Sequence, residues 1–342
     1  NYSRTITFSS HLGRPKKNSL DYSLAPVSKK MSEIINQKVN FIDEIYGKKV
    51  NESIENSKSK INLIENLRLH EGEVNNDDEF AKNVTFPFDT YIFDAFGASH
   101  RNHASVVSFG KYLDSYQGPL MNNEIEQLDK LLVNEKTGYV VLLGGAKISD
   151  KLSLIDNLLP KVEHLLIGGG MCFTFLKSMG YEIGNSLLED SFISKANELL
   201  NSEHGHKIVL PSDFGVTELI ESELREDINI EDFRNNHIGI DIGPNTISAF
   251  ASILLSSKNI FWNGPMGVFE IDKFSKGTQE ITEIIAKSSA YTCIGGGDSV
   301  SAINKFSNIQ YFNHISTGGG ASLEYLEGKK LPGVNIYNSL II

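Results

Sequence analysis

From Tyr139 onward the chain repeats one pattern: a short apolar run, a glycine-rich turn, then apolar residues at helical spacing. The runs are 140–143, 165–167, 208–210, 260–262 and 291–294. Uncharged runs this short read as strands buried on both faces. Their alternation with helical patterns predicts a doubly wound parallel sheet. Such sheets bind ligands at the carboxyl ends of their strands. Four of those ends are dense in glycine: GGAK at 144–147, GGGM at 168–171, GGGDS at 295–299 and STGGGAS at 316–322. A fifth run ends in WNGPMGVFE at 262–270. One glycine turn is ordinary wherever a helix packs on a sheet. Four at matching places predict a glycine-lined cleft for a phosphate-rich ligand, with Lys147 as cation and Asp298 as a candidate Mg²⁺ contact.

The stretch YVVLLGGAKISDK at 139–151 shows the chemistry most plainly. Gly144 and Gly145 end the strand, and Ile148, Leu152, Ile155 and Leu159 follow at helical spacing. Glycines let the backbone approach a ligand closely, and the free N–H groups of a first helical turn point at an anion. The pattern puts Lys147 in that first turn, where the helix dipole disfavours a cation. An anionic ligand accounts for it.

The first third of the chain is basic in its loops. A short strand at 5–8 leads into SSHLGRPKK at 9–17, where His11, Arg14, Lys16 and Lys17 gather around Gly13 and Pro15. That loop suits a phosphate or a carboxylate. A strand at 61–64 precedes ENLRLHEGE, whose Arg68 and His70 are candidate ligands, although exposed loop charges are more often only solvated. The segment TYIFDAFGASHRNHAS at 90–105 carries Arg101, a good anion clamp. Its two histidines, His100 and His103, have no third ligand at a recognised spacing, so no zinc site is expected there. An amphipathic helix follows at 122–133, with Ile125, Leu128, Leu131 and Leu132 inward.

Several functions are excluded. A formal charge of -11 argues against a nucleic-acid partner. The longest apolar runs, about five residues, fall far short of the ~20 that span a bilayer. Cys172 and Cys293 are too few for a disulfide framework and read as buried thiols. Asp213, Phe214 and Gly215 spell the metal-binding tripeptide of protein kinases, but no HRD-type loop or Gly-rich strand pair accompanies them. No GxxxxGK[ST] loop occurs.

Taken in order, SHLGRP, LIENLRLHEGE, DAFGASHRNHAS, LLGGAKISDK, GGGMCFTFL, DIGPNT, WNGPMGVFE, GGGDS, HISTGGGASLE and LEGKKLPGV resemble the motifs of phosphoglycerate kinases over almost the whole chain. The resemblance implies an α/β fold of two similar doubly wound parallel-sheet domains, joined by a helix, with a cleft between them. The N-terminal domain would be 1–121, the linking helix 122–136 and the nucleotide domain 137–330. The tail 331–342 is a candidate for returning to the first domain. The implied activity is reversible phosphoryl transfer between 1,3-bisphosphoglycerate and ADP, giving 3-phosphoglycerate and ATP, by a cytoplasmic, monomeric glycolytic enzyme using Mg²⁺. His11, Arg14 and Arg101 would hold the phosphoglycerate. Lys147, Arg14, Gly296 and Gly319 would face the transferring phosphoryl group. Gly144, Gly145, Ala146, Lys147, Lys151, Gly168, Gly169, Asn263, Glu270, Gly295, Gly296, Gly297, Asp298 and Ser299 would line the nucleotide, with Glu270 at the ribose and Asp298 on the metal. Because acyl phosphates hydrolyse readily, the domains are expected to close around a hinge at the linking helix.

Three departures stand out. Family members begin with a strand carrying a DFNVP-like motif, which does not precede SSHLGRP here. NYSR at 1–4 resembles the stretch around a further family arginine, making Arg4 its counterpart. Such a beginning implies exposed sheet edges, and either a truncated record of an ordinary enzyme or a catalytically impaired nucleotide-binding relative. The first is favoured, because Lys147, Asp298 and Arg101 are all present. Thr137 stands where the family has an arginine, with Lys136 beside it, and Phe93 stands where it has an asparagine.

Overall fold

The computed structural model describes residues 5–15, 20–133, 137–335 and 338–339; Arg4, Lys16, Lys17 and Lys136 lie outside them. The chain divides into two compact units, Asn1–Met121 with Leu331–Ile342, and Asn122–Lys330.

In the first unit, strands β1 (Ile6–Phe8), β2 (Val39–Ile42) and β3 (Ile61–Ile64) form a parallel sheet in the order β1-β3-β2. Strand alternation sends Leu63 and Ile64 to opposite faces. Leu63 joins Leu24 and Val39, packed by Met31 and Ile35 of the helix Ala25–Ile35. Ile64 joins Ile42, Val50 and the Phe80–Val84 face of the helix Asp78–Thr85. That helix starts at an acidic stretch, with Asp78 and Glu79 in its first turn and Asp77 Oδ1 accepting from Phe80 N at 2.6 Å. A second parallel sheet holds β4 (Thr90–Phe93), β5 (Asp114–Gln117) and the strand Asn338–Ser339, with β5 in the middle. The C-terminal segment is tied in by Gln117 Nε2, which donates to the Val334 carbonyl, and by Gly333 N, which donates to Ser99 O. Phe93 is buried against Gly333, where a Cβ would lie 2.6 Å from its ring.

The described strands of the first unit thus fall into two three-stranded sheets. Among the described residues β1 pairs only with β3, and β4 only with β5. Ile6, Phe8 and Ile92 on those strands are 54%, 42% and 53% exposed.

The second unit is built on six parallel strands, β6 (Tyr139–Leu143), β7 (His164–Ile167), β8 (Ile208–Val209), β12 (Asn259–Asn263), β13 (Tyr291–Gly295) and β14 (His314–Ile315). Their order is β14-β13-β12-β6-β7-β8. Val140, Leu142, Ile260, Trp262 and Ile294 pack on the helices Pro244–Ser256, Lys276–Lys287 and Gly297–Phe306. The alternate residues Val141, Leu143, Phe261 and Cys293 are equally buried, so both faces are covered. A separate antiparallel sheet, absent from the sequence reading, has β9 (Asp213–Thr217) between β10 (Glu226–Asn229) and β11 (Ile238–Ile242). Asp213 of the kinase-like tripeptide is buried on β9 and accepts from Asn245 N, Thr246 N and Thr246 Oγ at 2.8, 2.7 and 2.6 Å. It caps the helix Pro244–Ser256.

The helix read at 122–133 starts three residues earlier, as Pro119–Val133. Proline suits a first helical position, where its missing N–H costs no bond.

Candidate active site

Leu143, Ile167, Asn263 and Gly295 are in register across β7, β6, β12 and β13. The next residue on each strand, Gly144, Gly168, Gly264 and Gly296, therefore falls at one level on the carboxyl edge of the sheet. Here the turns interlock: Gly144 N donates to Asn263 O at 2.9 Å, Gly145 N to Pro265 O at 3.0 Å, and Gly169 N to Met266 O at 3.0 Å. A Cβ on Gly144 would lie 2.0 Å from the Pro265 carbonyl oxygen, so this glycine serves turn packing. Gly145 and Gly319 differ. Their φ values of 98° and 53° demand glycine, yet a Cβ on either would meet nothing within 4 Å. They leave an open floor.

Beside that floor is a cavity of ≈ 220 Å³ reached by Gly145, Ala146, Gly169, Glu270 and Asp298. Its deeper wall is apolar, with Phe173, Leu187, Phe214, Ile240 and Met266. Flat apolar walls with acidic groups at the rim suit a heteroaromatic ring bearing polar substituents. Asp298 is exposed in the first turn of the helix Gly297–Phe306, and Ser299 Oγ accepts from Gly264 N at 2.7 Å. Ser299 thus ties two glycine turns together. Lys151 Nζ donates to Asn263 Oδ1, and Asn263 Nδ2 donates to Gly295 O at 2.7 Å. Burial draws the Lys151 ammonium below its ordinary pKa, against the attraction of Asp150, Asp298 and Glu327.

Lys147 requires a correction. The helix begins at Leu152, with Lys151 as its N-cap residue, so Lys147 lies in the preceding loop and not in a first helical turn. The cause is tertiary. Ser149 gives its N–H and Oγ–H to Glu189, at 3.0 and 2.7 Å, which draws the loop away from helical geometry. Lys147 is left exposed, with Glu189 as a nearby charge.

Glu124, on the helix Pro119–Val133, was missed. It is 1% exposed and accepts from His314 Nε2 at 2.9 Å, Ser316 Oγ at 2.8 Å, and Thr317 N and Oγ at 2.7 and 2.6 Å. The carboxylate anchors the strand that leads into Gly318, Gly319 and Gly320. Burial acts to raise its pKa, but the bonds from His314, Thr317 and Ser316 outweigh it and hold the pKa below the usual value.

In the first unit, the basic segments converge. Asn66 knits the SHLGRP loop in place: its Oδ1 accepts from Leu12 N and Arg68 N, and its Nδ2 donates to Leu12 O and Tyr22 O. Arg68 donates to Gly13 O at 2.9 Å. Its pKa is lowered by burial and then by the repulsion of Arg101 and Arg14, against Glu73. Three guanidinium groups therefore share one neighbourhood, a field built for an anion. His70 has a structural task, accepting from Gly72 N at 3.0 Å and stacking on Phe80.

Glu73 is the buried counterweight to this charge. It is fully buried, accepts from His11 Nε2 at 2.6 Å, and accepts from Ser105 Oγ and N at 2.6 and 3.1 Å. Burial acts to raise its pKa, and the bonds from His11 and Ser105 overcome that and hold it low. The sequence gives no local sign of this contact, since 62 residues separate Glu73 from His11.

Comparison with known proteins decides the family. The phosphoglycerate kinase family model matches residues 2–329. The chain belongs to the phosphoglycerate kinase family. The phosphoglycerate kinase of Thermosipho africanus is 48% identical, over 95% of this chain and 83% of that protein. The phosphoglycerate kinase of Finegoldia magna is 49% identical, over 96% and 85%. Among solved structures, phosphoglycerate kinase from Coxiella burnetii is similar at a TM-score of 0.87 and 38% identity, covering 97% of this chain and 85% of that one. The resemblance read from the motifs is thus borne out, as is the two-domain α/β fold class. The chain is a phosphotransferase of the glycolytic phosphoglycerate kinase family. Among the described residues no helix is long and apolar enough to cross a membrane.

Proposed function

We propose that this chain transfers a phosphoryl group reversibly between 1,3-bisphosphoglycerate and ADP, giving 3-phosphoglycerate and ATP, as a cytoplasmic monomer without a nucleic-acid partner. The observation that carries the reading is the row of four glycines level across one parallel sheet, beside a cavity rimmed by Glu270 and Asp298. It supports a nucleotide with its ring in the apolar slot, its ribose at Glu270, and its phosphates over Gly144, Gly145, Ala146, Gly168 and Gly169. Lys151, Asn263, Gly295, Gly296, Gly297 and Ser299 complete that surface. The cluster of Arg14, Arg68 and Arg101 with His11 supports an anionic second substrate.

The chemistry needs little more. In the direction of ATP consumption the nucleophile is a carboxylate, already ionised at neutral pH, so no general base is required. What remains is positioning and stabilising charge on the phosphoryl oxygens. Lys147, exposed and on a loop, is free to follow those oxygens, with Arg14, Gly296 and Gly319 at the same group. Asp298 fits a Mg²⁺ ion: it is an exposed, hard oxygen ligand at the cavity rim, next to a glycine floor that no side chain fills. When bound with nucleotide, Mg²⁺ neutralises charge on the phosphates.

The test is a coupled assay of the full chain with 3-phosphoglycerate and Mg-ATP, beside Lys147→Ala. Turnover that drops on the order of 100-fold in the variant supports the proposal. Mg-nucleotide binding with no turnover would overturn the proposal.

A further inference from the structure

His11, Glu73 and His103 come from three separate segments of the first unit and meet with their donor atoms all within 4.8 Å of one another. His11 Nε2 lies 2.6 Å from Glu73 Oε1, and His103 Nδ1 lies 3.7 Å from the same oxygen. We propose that these three side chains form a transition-metal site, taking Zn²⁺ through His11 Nε2, Glu73 Oε1 and His103 Nδ1, with a fourth position left for water or an anion.

The geometry is close to what such an ion requires. Bonds of ~2.0–2.1 Å in a tetrahedron hold ligand atoms ~3.3–3.4 Å apart. The two observed separations bracket that spacing, so His11 must withdraw and His103 approach by less than about 1 Å each. Two imidazoles and one carboxylate match the His₂Glu donor set of open zinc sites. Hard cations such as Mg²⁺ and Ca²⁺ select all-oxygen sites, which this is not.

A second observation points to a ligand. His103 is 9% exposed, and among the described residues its buried Nδ1 has no hydrogen-bond partner. An unpaired buried nitrogen is costly, and a metal would satisfy it. Ser105 N and Oγ fix the orientation of Glu73, as outer partners of metal ligands commonly do.

The surrounding charge sets the fourth ligand. Arg68 and Arg101 bear on His103, and they oppose a bare dication. Zn²⁺ with Glu73 alone would leave one positive charge, and an anionic fourth ligand, hydroxide or an oxyanion, removes it while engaging the arginines. Because His11 is also among the residues assigned to the phosphoglycerate above, bound Zn²⁺ should inhibit transfer; that consequence alone rests on the proposed function.

The binding test needs no turnover. The full chain is freed of metal with a chelator, and Co²⁺ is added as a spectroscopic probe in a phosphate-free buffer. The expected result is one equivalent bound with the intense visible bands of a four-coordinate ion, displaced by Zn²⁺. His103→Gln should abolish those bands while leaving the far-UV circular dichroism unchanged. Ser105→Ala, which removes the hydroxyl bond to the carboxylate, should weaken binding by about tenfold. Weak six-coordinate spectra, or equal Zn²⁺ affinity in the chain and in folded His103→Gln, would overturn the proposal.

Discussion

Glu124→Gln isolates the carboxylate that fastens the helix Pro119–Val133 to the last glycine turn. The side chain keeps its volume, but one of two acceptor oxygens becomes an NH₂ group. Oε2 accepts from His314 and Ser316, and Oε1 from Thr317 twice, so either orientation of the amide faces two donors with hydrogens. Each buried donor left unpaired costs about 1–3 kcal/mol, and a hydroxyl can rotate to recover part of it. A loss of about 2–4 kcal/mol follows for the pair. The pH dependence has a definite sign. The folded pKa of Glu124 lies below its ordinary value. The stabilisation is therefore complete above the unfolded pKa of ~4.3 and is lost as pH falls through the folded value. The gap between the chain and the variant should be widest near neutrality and narrow as pH falls below the unfolded pKa. Urea unfolding of the full chain can read this in the correct unit, because the chain has a single tryptophan, Trp262, fully buried in the second unit. Equal midpoints at neutral pH, or a gap that persists undiminished in acid, would refute the reasoning.

Two further outcomes separate packing from site geometry and test motion. Gly144→Ala, whose Cβ would sit 2.0 Å from the Pro265 carbonyl, should destabilise the second unit by more than Gly145→Ala. Gly145→Ala meets no atom within 4 Å and bears only the cost of its positive φ, about 1–2 kcal/mol; thermal unfolding followed at Trp262 that ranks them the other way would sink the distinction. Water exclusion during acyl-phosphate chemistry predicts closure on substrates. Small-angle scattering should show the radius of gyration falling only when both substrates are present, and an unchanged value would count against closure.

What was legible in the sequence is what local chemistry dictates. The strands of the second unit, the glycines after them and the acidic start of the helix Asp78–Thr85 follow from side-chain period, uncharged runs and capping, which act over a few residues. The family itself was readable, because its motifs are short and kept in order. The antiparallel sheet was not. Glu226–Asn229 reads EDIN, too polar to announce a strand, and becomes one because β9 offers its edge. Lys147 was placed in a helix because the apolar spacing allowed it, until Glu189, some forty residues on, took the bonds of Ser149.

The sites divide in the same way. Sequence alone named the basic loops, the glycine turns and Asp298, since each is a local signal with a chemical meaning, and the family resemblance added Glu270. Only the tertiary structure decided that Arg68 joins Arg14 and Arg101, that Glu124 holds His314 and Thr317, and that Glu73 meets both His11 and His103. Those partners are 30 to nearly 200 residues apart in the chain. No local pattern encodes such a contact; a buried carboxylate is tolerable only where the fold brings it enough donors, and that is settled by packing.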